Sequence, residues 1–268
     1  TQDVIDVYKE KVQVQSFLRS FFAEKTSATK YVSSEVVRGT EKIAVDVLRG
    51  TEGNRNTFGL STQKVFEPPF YREYFELTEL DLYDRLLGSA TMDASVYSQL
   101  LDEAADKLME LKAKIERRYE LQCSQVLETG IVTVEHGTNI DFKRKTASIV
   151  DNSASTWTGA NDPFVQLNAG CNFVRQKGKS QGYVYNAIMG STALTAFFNN
   201  TFVKDTADFR RIDHLSINMP QRNSIGATPH GQVAAGDYAV NIWSYPEFYD
   251  NSSGVSTPYL NPKKVILL

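Results

Sequence analysis

Between Ser89 and Thr129 the chain runs without a glycine or a proline, and this stretch constrains the fold more than any other. Tyr97, Leu101, Ala104, Leu108, Leu111, Ile115 and Tyr119 step by four and three, which sets them on one stripe of an α-helix. Glu103 with Lys107, and Glu110 with Lys114, are acid-before-base pairs at i, i+4 on the polar side. Asp93 is placed to cap the start and Gly130 to end it. Such a helix runs on the order of 50 Å, longer than a compact domain of this size is wide, so an elongated subunit is expected. The stripe covers few heptads and strand-rich sequence follows at once, which favours packing on a sheet over a coiled coil. In that reading Leu108 is a core residue.

A chain of 268 residues has room for one large domain or two small ones. Its 41% hydrophobic and 23% charged residues suit a folding chain. The net charge of -3 gives no electrostatic reason for tight nucleic-acid binding. No window approaches ~18 consecutive apolar residues, so no membrane-spanning helix is expected. Cys123 and Cys171 form neither a CxxC pair nor a disulfide framework, and a reduced, intracellular setting is the default. The sequence starts at Thr1 and stops in "YLNPKKVILL", where Val265 to Leu268 read as a strand cut off as it begins; more chain is expected beyond it.

Residues 3 to 25 also lack Gly and Pro, and Phe17, Leu18, Phe21 and Phe22 recur as the apolar edge of an expected helix. A long hairpin is expected next, from Glu41 to Leu77. In its first arm Ile43, Val45 and Val47 alternate with Ala44, Asp46 and Leu48, the period of a strand. Gly50, Gly53, Gly59, Asn54 and Asn56 supply the loop. Pro68 and Pro69 remove two backbone donors from the second arm, which makes it an edge or irregular strand. After Gly130, "IVTVEHG" and "ASIV" read as strands, "DNSASTWTGANDP" as a polar loop and "FVQLNAGCNFV" as a helix. "GYVYNAIMG" reads as a strand and "STALTAFFNN" as a helix capped by Ser191 or Thr192. "DYAVNIWSYPEFYD" is a strand before the turn "NSSG", so this half forms a mixed α/β layer. Trp157, in the polar loop, is expected to be partly exposed, and Trp243, in the strand, buried.

The chemical motifs do not assemble into a catalytic set. "GKSQG" matches the nucleophile elbow G-x-S-x-G, but that elbow follows a strand and opens a helix, and here the context is inverted around Ser180. A phosphate loop fails at Phe173, where glycine is needed. His136, His214 and His230 show no metal-ligand spacing, and no metal or cofactor is expected. "NNT" at Asn199 and "NSS" at Asn251 match glycosylation acceptors but follow no secretory signal. Arg117, Arg118 and Lys143 to Lys145 read as solvated charge. What remains is shape. A hairpin with this much aromatic surface aggregates unless something covers it, and a neighbouring subunit is the expected cover. Phe58, Phe66, Phe70 and Tyr74 are the candidate interface anchors.

Three stretches carry a family resemblance. "SFLRSFF" (16 to 22) resembles the N-terminal Phe-Leu-Arg-x-Phe-Phe element of the lambda-like major capsid protein E family of tailed phages. "TWTGANDPFVQLNAG" (156 to 170) is similar to its Trp, Asp-Pro and apolar-helix signature, and "IWSYPEFYDNSSGVSTPYLNPKKVILL" (242 to 268) to its strand, turn and Pro-closed strand. The resemblance implies the α+β Hong Kong 97-like capsid fold. It implies an N-terminal arm or helix over 1–30 and an extended hairpin, the E-loop, over 31–78. A peripheral domain with a spine helix would occupy 79–163, an α/β axial domain 164–257, and a truncated return to the peripheral domain 258–268. It further implies a non-enzymatic major head protein of a tailed phage or prophage, made in the bacterial host cytoplasm and located in the virion capsid. Such a subunit self-assembles into the hexamers and pentamers of an icosahedral shell around double-stranded DNA, with weak non-specific contact to that DNA and no membrane. Scaffold, decoration and portal proteins would be its partners. Two alternatives stand beside this reading: a phage tube or sheath subunit, and a serine hydrolase using Ser180.

Overall fold

The computed structural model describes residues 14–37, 43, 44, 46, 61–75, 94–158, 161–180, 182–208, 215–217 and 222–268. They divide into two units, Glu24–Tyr71 and a larger one that joins the chain up to Ala23 with Arg72–Leu268.

The smaller unit is built on β1, Val32–Val37, antiparallel to β2, Ser61–Phe66. Val32 stands opposite Phe66 and Val37 opposite Ser61. A hairpin is present, but its first strand precedes the expected one: Ile43, Ala44 and Asp46 lie outside any strand. The β-branched run around Val32, Val36 and Val37 takes the pairing instead, and the longer connection adds little closure entropy. β2 ends where Pro68 and Pro69 would remove ladder donors. An exposed ion pair between Lys30 and Glu67, 3.0 Å, lies just beyond the paired ends.

The larger unit opens with a short 3-10 turn, Leu18–Phe21, in place of the helix expected over this part of residues 3 to 25; residues 3–13 lie outside the described ones. The long helix α1 spans Ala94–Thr129. Gly130 ends it at φ 77°, its N–H reaching the Val126 carbonyl at 2.9 Å, a conformation that glycine adopts without a Cβ penalty. Asp93, the expected cap, lies outside the described residues. Among the stripe residues whose side chains are described, Ala104, Leu111 and Ile115 are half-buried and none is fully buried, while the side chains of Tyr97 and Leu101 lie outside the description. Leu108 is 59% exposed and Tyr119 40%, because the middle turns meet solvent and carry the ion pairs Lys107–Glu110 and Lys112–Glu116. Burial falls instead on Glu120, Ser124 and Leu127 near the C-terminal end.

β3 (Ile131–Val132) pairs with β4 (Ile140–Asp141). "ASIV" is not a strand: Thr146–Ser148 form a 3-10 turn and Ile149 and Val150 stay exposed. Helix α2, Pro163–Gly178, starts with Pro163 in its first turn and the Asp162 carboxylate accepting the Phe164 N–H at 2.8 Å. Then come β5 (Val184–Met189), α3 (Ser191–Asn199), α4 (Thr201–Asp208), β6 (Leu215–Ile217), β7 (Thr228–Ala235) and β8 (Tyr238–Ser244). β9 (Phe248–Asp250) and β10 (Ser256–Pro258) form a small ribbon, and β11 is Val265–Leu267. Neither Ser191 nor Thr192 caps α3; its N-cap position is Gly190, and the Pro262 carbonyl, on the stretch leading to β11, accepts the Ala193 N–H at 3.0 Å.

Five strands make one sheet in the order β11-β5-β8-β7-β6, with β5 and β8 parallel and the other neighbours antiparallel. Period-two alternation gives it two apolar faces. On one, Tyr185, Ala187, Met189, Val240 and Ile242 meet Leu167 and Cys171 of α2, Phe197 of α3 and Val203 of α4. On the other, Ile188, Tyr245 and Ile266 meet Phe17, Leu18, Leu127 and Leu260. Each large side chain so buried contributes about 1.5–3 kcal/mol. Trp243, expected to be buried, is half-buried, because its indole N–H turns to Asn186 Oδ1 at 3.1 Å on a polar strip of the sheet. Trp157 is half-buried as well, consistent with the partial exposure expected of it. The described residues thus mix helix and sheet, as expected. Among them no helix is long and apolar enough to cross a membrane.

Candidate functional site

The strongest polar construction lies on the last turns of α1. Glu120, Ser124 and Glu128 recur every four residues and so share one helix face. Glu120 is 1% exposed; its two oxygens accept the N–H groups of Leu18 at 2.8 Å and Arg19 at 3.1 Å, satisfying donors at the start of the 3-10 turn. Ser124 Oγ donates to the Tyr259 carbonyl. Glu128 accepts the Asn261 N–H and the Lys264 ammonium, the latter at 3.2 Å. One helix face thereby holds two chain segments distant in sequence, 17–19 and 259–264.

Apolar packing closes over this clasp. Phe17 lies 5.2 Å from Phe21, 5.5 Å from Trp243 and 5.6 Å from Tyr245, ring centre to ring centre. The Arg19 guanidinium stands 5.6 Å from the centre of the Tyr119 ring. Burial pushes the Glu120 carboxyl above its ordinary range, against the lowering effect of the Leu18 N–H, the Tyr245 hydroxyl, and the N–H and charge of Arg19. Burial, reinforced by Glu120, likewise pushes the Cys123 thiol up to about 11. The Tyr245 hydroxyl faces Glu120, favours its charged form, and is itself pushed up by burial and by that carboxylate. This clasp escaped the reading of the sequence. The four-residue recurrence was there, but polar residues at that spacing also describe a solvated face.

The expected interface anchors are distributed differently. Phe58 lies outside the described residues. Phe66 ends β2 and is half-buried, and Phe70, on the irregular stretch after it, is 87% exposed. Tyr74 is 70% exposed but belongs to the larger unit, so the anchors are divided between the two units. Val65 adds apolar surface on β2.

Ser180 follows a helix and precedes β5, the reverse of a nucleophile elbow, and its Oγ accepts the Gly182 N–H at 3.3 Å in a local turn. His230 lies against the Phe198 ring with Nε2 2.8 Å from Ser244 Oγ, and burial lowers its pKa. Arg118 reaches the Thr133 carbonyl and Arg144 the Leu127 carbonyl, so both guanidinium groups brace the end of α1.

A family model, phage major capsid protein E, matches residues 1–268. No curated protein matches the chain. Among solved structures, the crystal structure of the "putative capsid protein of prophage (E.coli CFT073)" superposes with a TM-score of 0.47 at 13% identity. The match covers 88% of this chain and 57% of that one, so this chain spans less than two thirds of its length.

Proposed function

The chain belongs to the phage major capsid protein E family, and from that premise we propose that it is the repeating subunit of an icosahedral head, with the Hong Kong 97-like architecture. In this reading α1 is the spine, the β1–β2 hairpin is the extended loop and the five-stranded sheet forms most of the axial domain. Subunits associate as hexamers and pentamers, and the shell encloses double-stranded DNA in the virion. The role is structural rather than enzymatic.

The observation that carries the reading beyond the family is the hairpin. A two-stranded ribbon is marginal in water by itself. Among the described residues neither outer edge of this one pairs with a further strand, while Val65 and Phe70 lie exposed on the same unit. Free edges and exposed aromatics are what a neighbouring subunit covers. Closed symmetry repeats the contact many times, so a modest patch suffices to hold a shell. Electron microscopy of the overexpressed protein tests this: closed shells are expected, and open tubes or a persistently monomeric protein would contradict it.

A further inference from the structure

The middle turns of α1 carry an apolar stripe that the packing of the larger unit does not use up. From Leu101 through Ala104, Leu108 and Leu111 to Ile115 the steps alternate between three and four residues. That alternation is the a/d spacing of a seam that receives a second helix. Leu108 is 59% exposed, and Ala104, Leu111 and Ile115 are half-buried, so no described element closes over these four.

The margins of the stripe carry one sign of charge. Lys107, Lys112 and Lys114 stand beside Leu108, Leu111 and Ile115, at the e and g positions that flank such a seam. Their side chains are between 60% and 77% exposed. Ala105 fills the remaining flanking position of this stretch, so no acid does. Glu110 and Glu116 lie on the outer side of the helix and meet Lys107 and Lys112 as exposed pairs at 2.7 and 3.8 Å, which contribute little. At Lys114 the margin already holds a carboxylate from elsewhere in the chain: Glu73 Oε2 lies 2.7 Å from its Nζ.

We propose that this face of α1 is the docking seam for an acidic amphipathic helix of another protein, apolar residues on the stripe and carboxylates on the lysine margins.

A second α1 does not fit that description. Its own margins are Lys107, Lys112 and Lys114, and in either direction it would set lysines against lysines. A membrane surface also attracts basic apolar helices, but it calls for a broad apolar face, and a seam of a and d positions is narrow. The residues involved are not those of the hairpin, so the contact stands whether or not the subunit builds a shell.

Fluorescence anisotropy of a labelled synthetic helical peptide, with leucine at a and d and glutamate at e and g, tests the seam against the intact protein. Saturable binding that weakens with added salt is expected. A matching peptide with lysine at e and g should bind at least about tenfold more weakly. Leu108→Asp should weaken binding of the glutamate peptide by about tenfold or more. Lys107→Glu together with Lys112→Glu leaves the stripe intact and should reverse the preference between the two peptides. No binding of the glutamate peptide, equal binding of both peptides, or an unreversed preference in the double variant would overturn the proposal. So would binding of phosphatidylserine vesicles in place of the peptide, or self-association of the protein that Leu108→Asp abolishes.

Discussion

Glu120 accepts the backbone N–H of Leu18 at 2.8 Å across 102 positions of the chain. The bond is buried at both ends, so its loss is not compensated by water. Glu120→Ala leaves the Leu18 and Arg19 donors without their acceptor, and each such donor costs about 1–3 kcal/mol. Thermal unfolding should show a clear fall in melting temperature, with residues 14–22 becoming the first segment open to proteolysis. An unchanged melting curve would mean that the segment adds nothing to the stability of the larger unit.

Leu108 makes the opposite case. The stripe on which it lies suggests a core position, where Leu108→Asp would cost several kcal/mol. At 59% exposure, beside the Lys107–Glu110 pair, the substitution should instead stay within about 0.5 kcal/mol, as surface changes do. Urea unfolding of the variant distinguishes the two values; a loss of several kcal/mol would restore the stripe to a core.

At Gly190 the constraint is space. A Cβ there would overlap the carbonyl oxygens of Asn261 and Pro262, both backbone atoms that cannot turn aside. Those carbonyls belong to the stretch that caps α3 and leads into β11. Gly190→Ala should therefore destabilise the protein by about 1–3 kcal/mol or more, the range of an overpacked core. The loss should appear as early exchange of the amides of β11.

The elements that were legible in the sequence are those whose signal is local. Gly130 ends α1 because the chain turns left-handed there, and Val184–Met189 and Tyr238–Ser244 carry apolar residues at both parities, as a sheet with two covered faces requires. Where a distant partner decides, local pattern misled. Ile43 to Leu48 alternate more cleanly than Val32–Val37, yet Val32–Val37 pair with Ser61–Phe66 and Ile43, Ala44 and Asp46, the described residues of the expected arm, lie outside any strand. Ser191 looks like a cap, but the Pro262 carbonyl meets that helix start from across the fold. Glu120 resembles its solvated neighbours until Leu18 and Phe17 close over it. The candidate anchors Phe70 and Tyr74 were legible as aromatics, and their exposure now accompanies that reading.

His230 gives the stability of the larger unit a pH dependence of its own. Burial lowers its pKa from 6.5, so the unfolded chain takes up a proton more readily than the folded one. Its contribution to stability is complete above 6.5 and is lost as pH falls from there toward the lowered value. The difference in unfolding free energy between the parent and His230→Gln should shrink as the buffer is taken from pH 7.5 to about 5. A difference independent of pH would show that the ring titrates alike in both states.

The hairpin bears the central claim, that exposed aromatics on this unit join one subunit to the next. Replacing residues 51 to 58 with a short Gly-Ser turn removes Phe58 and shortens the connection between the paired ends of β1 and β2, Val37 and Ser61, and loop length alone costs little. The melting temperature of the unassembled protein should stay nearly constant. Electron microscopy of the shortened protein beside the parent is the most direct measurement. Closed shells are expected from the parent and none from the shortened chain; shells of normal size from both would mean that the hairpin does not join subunits.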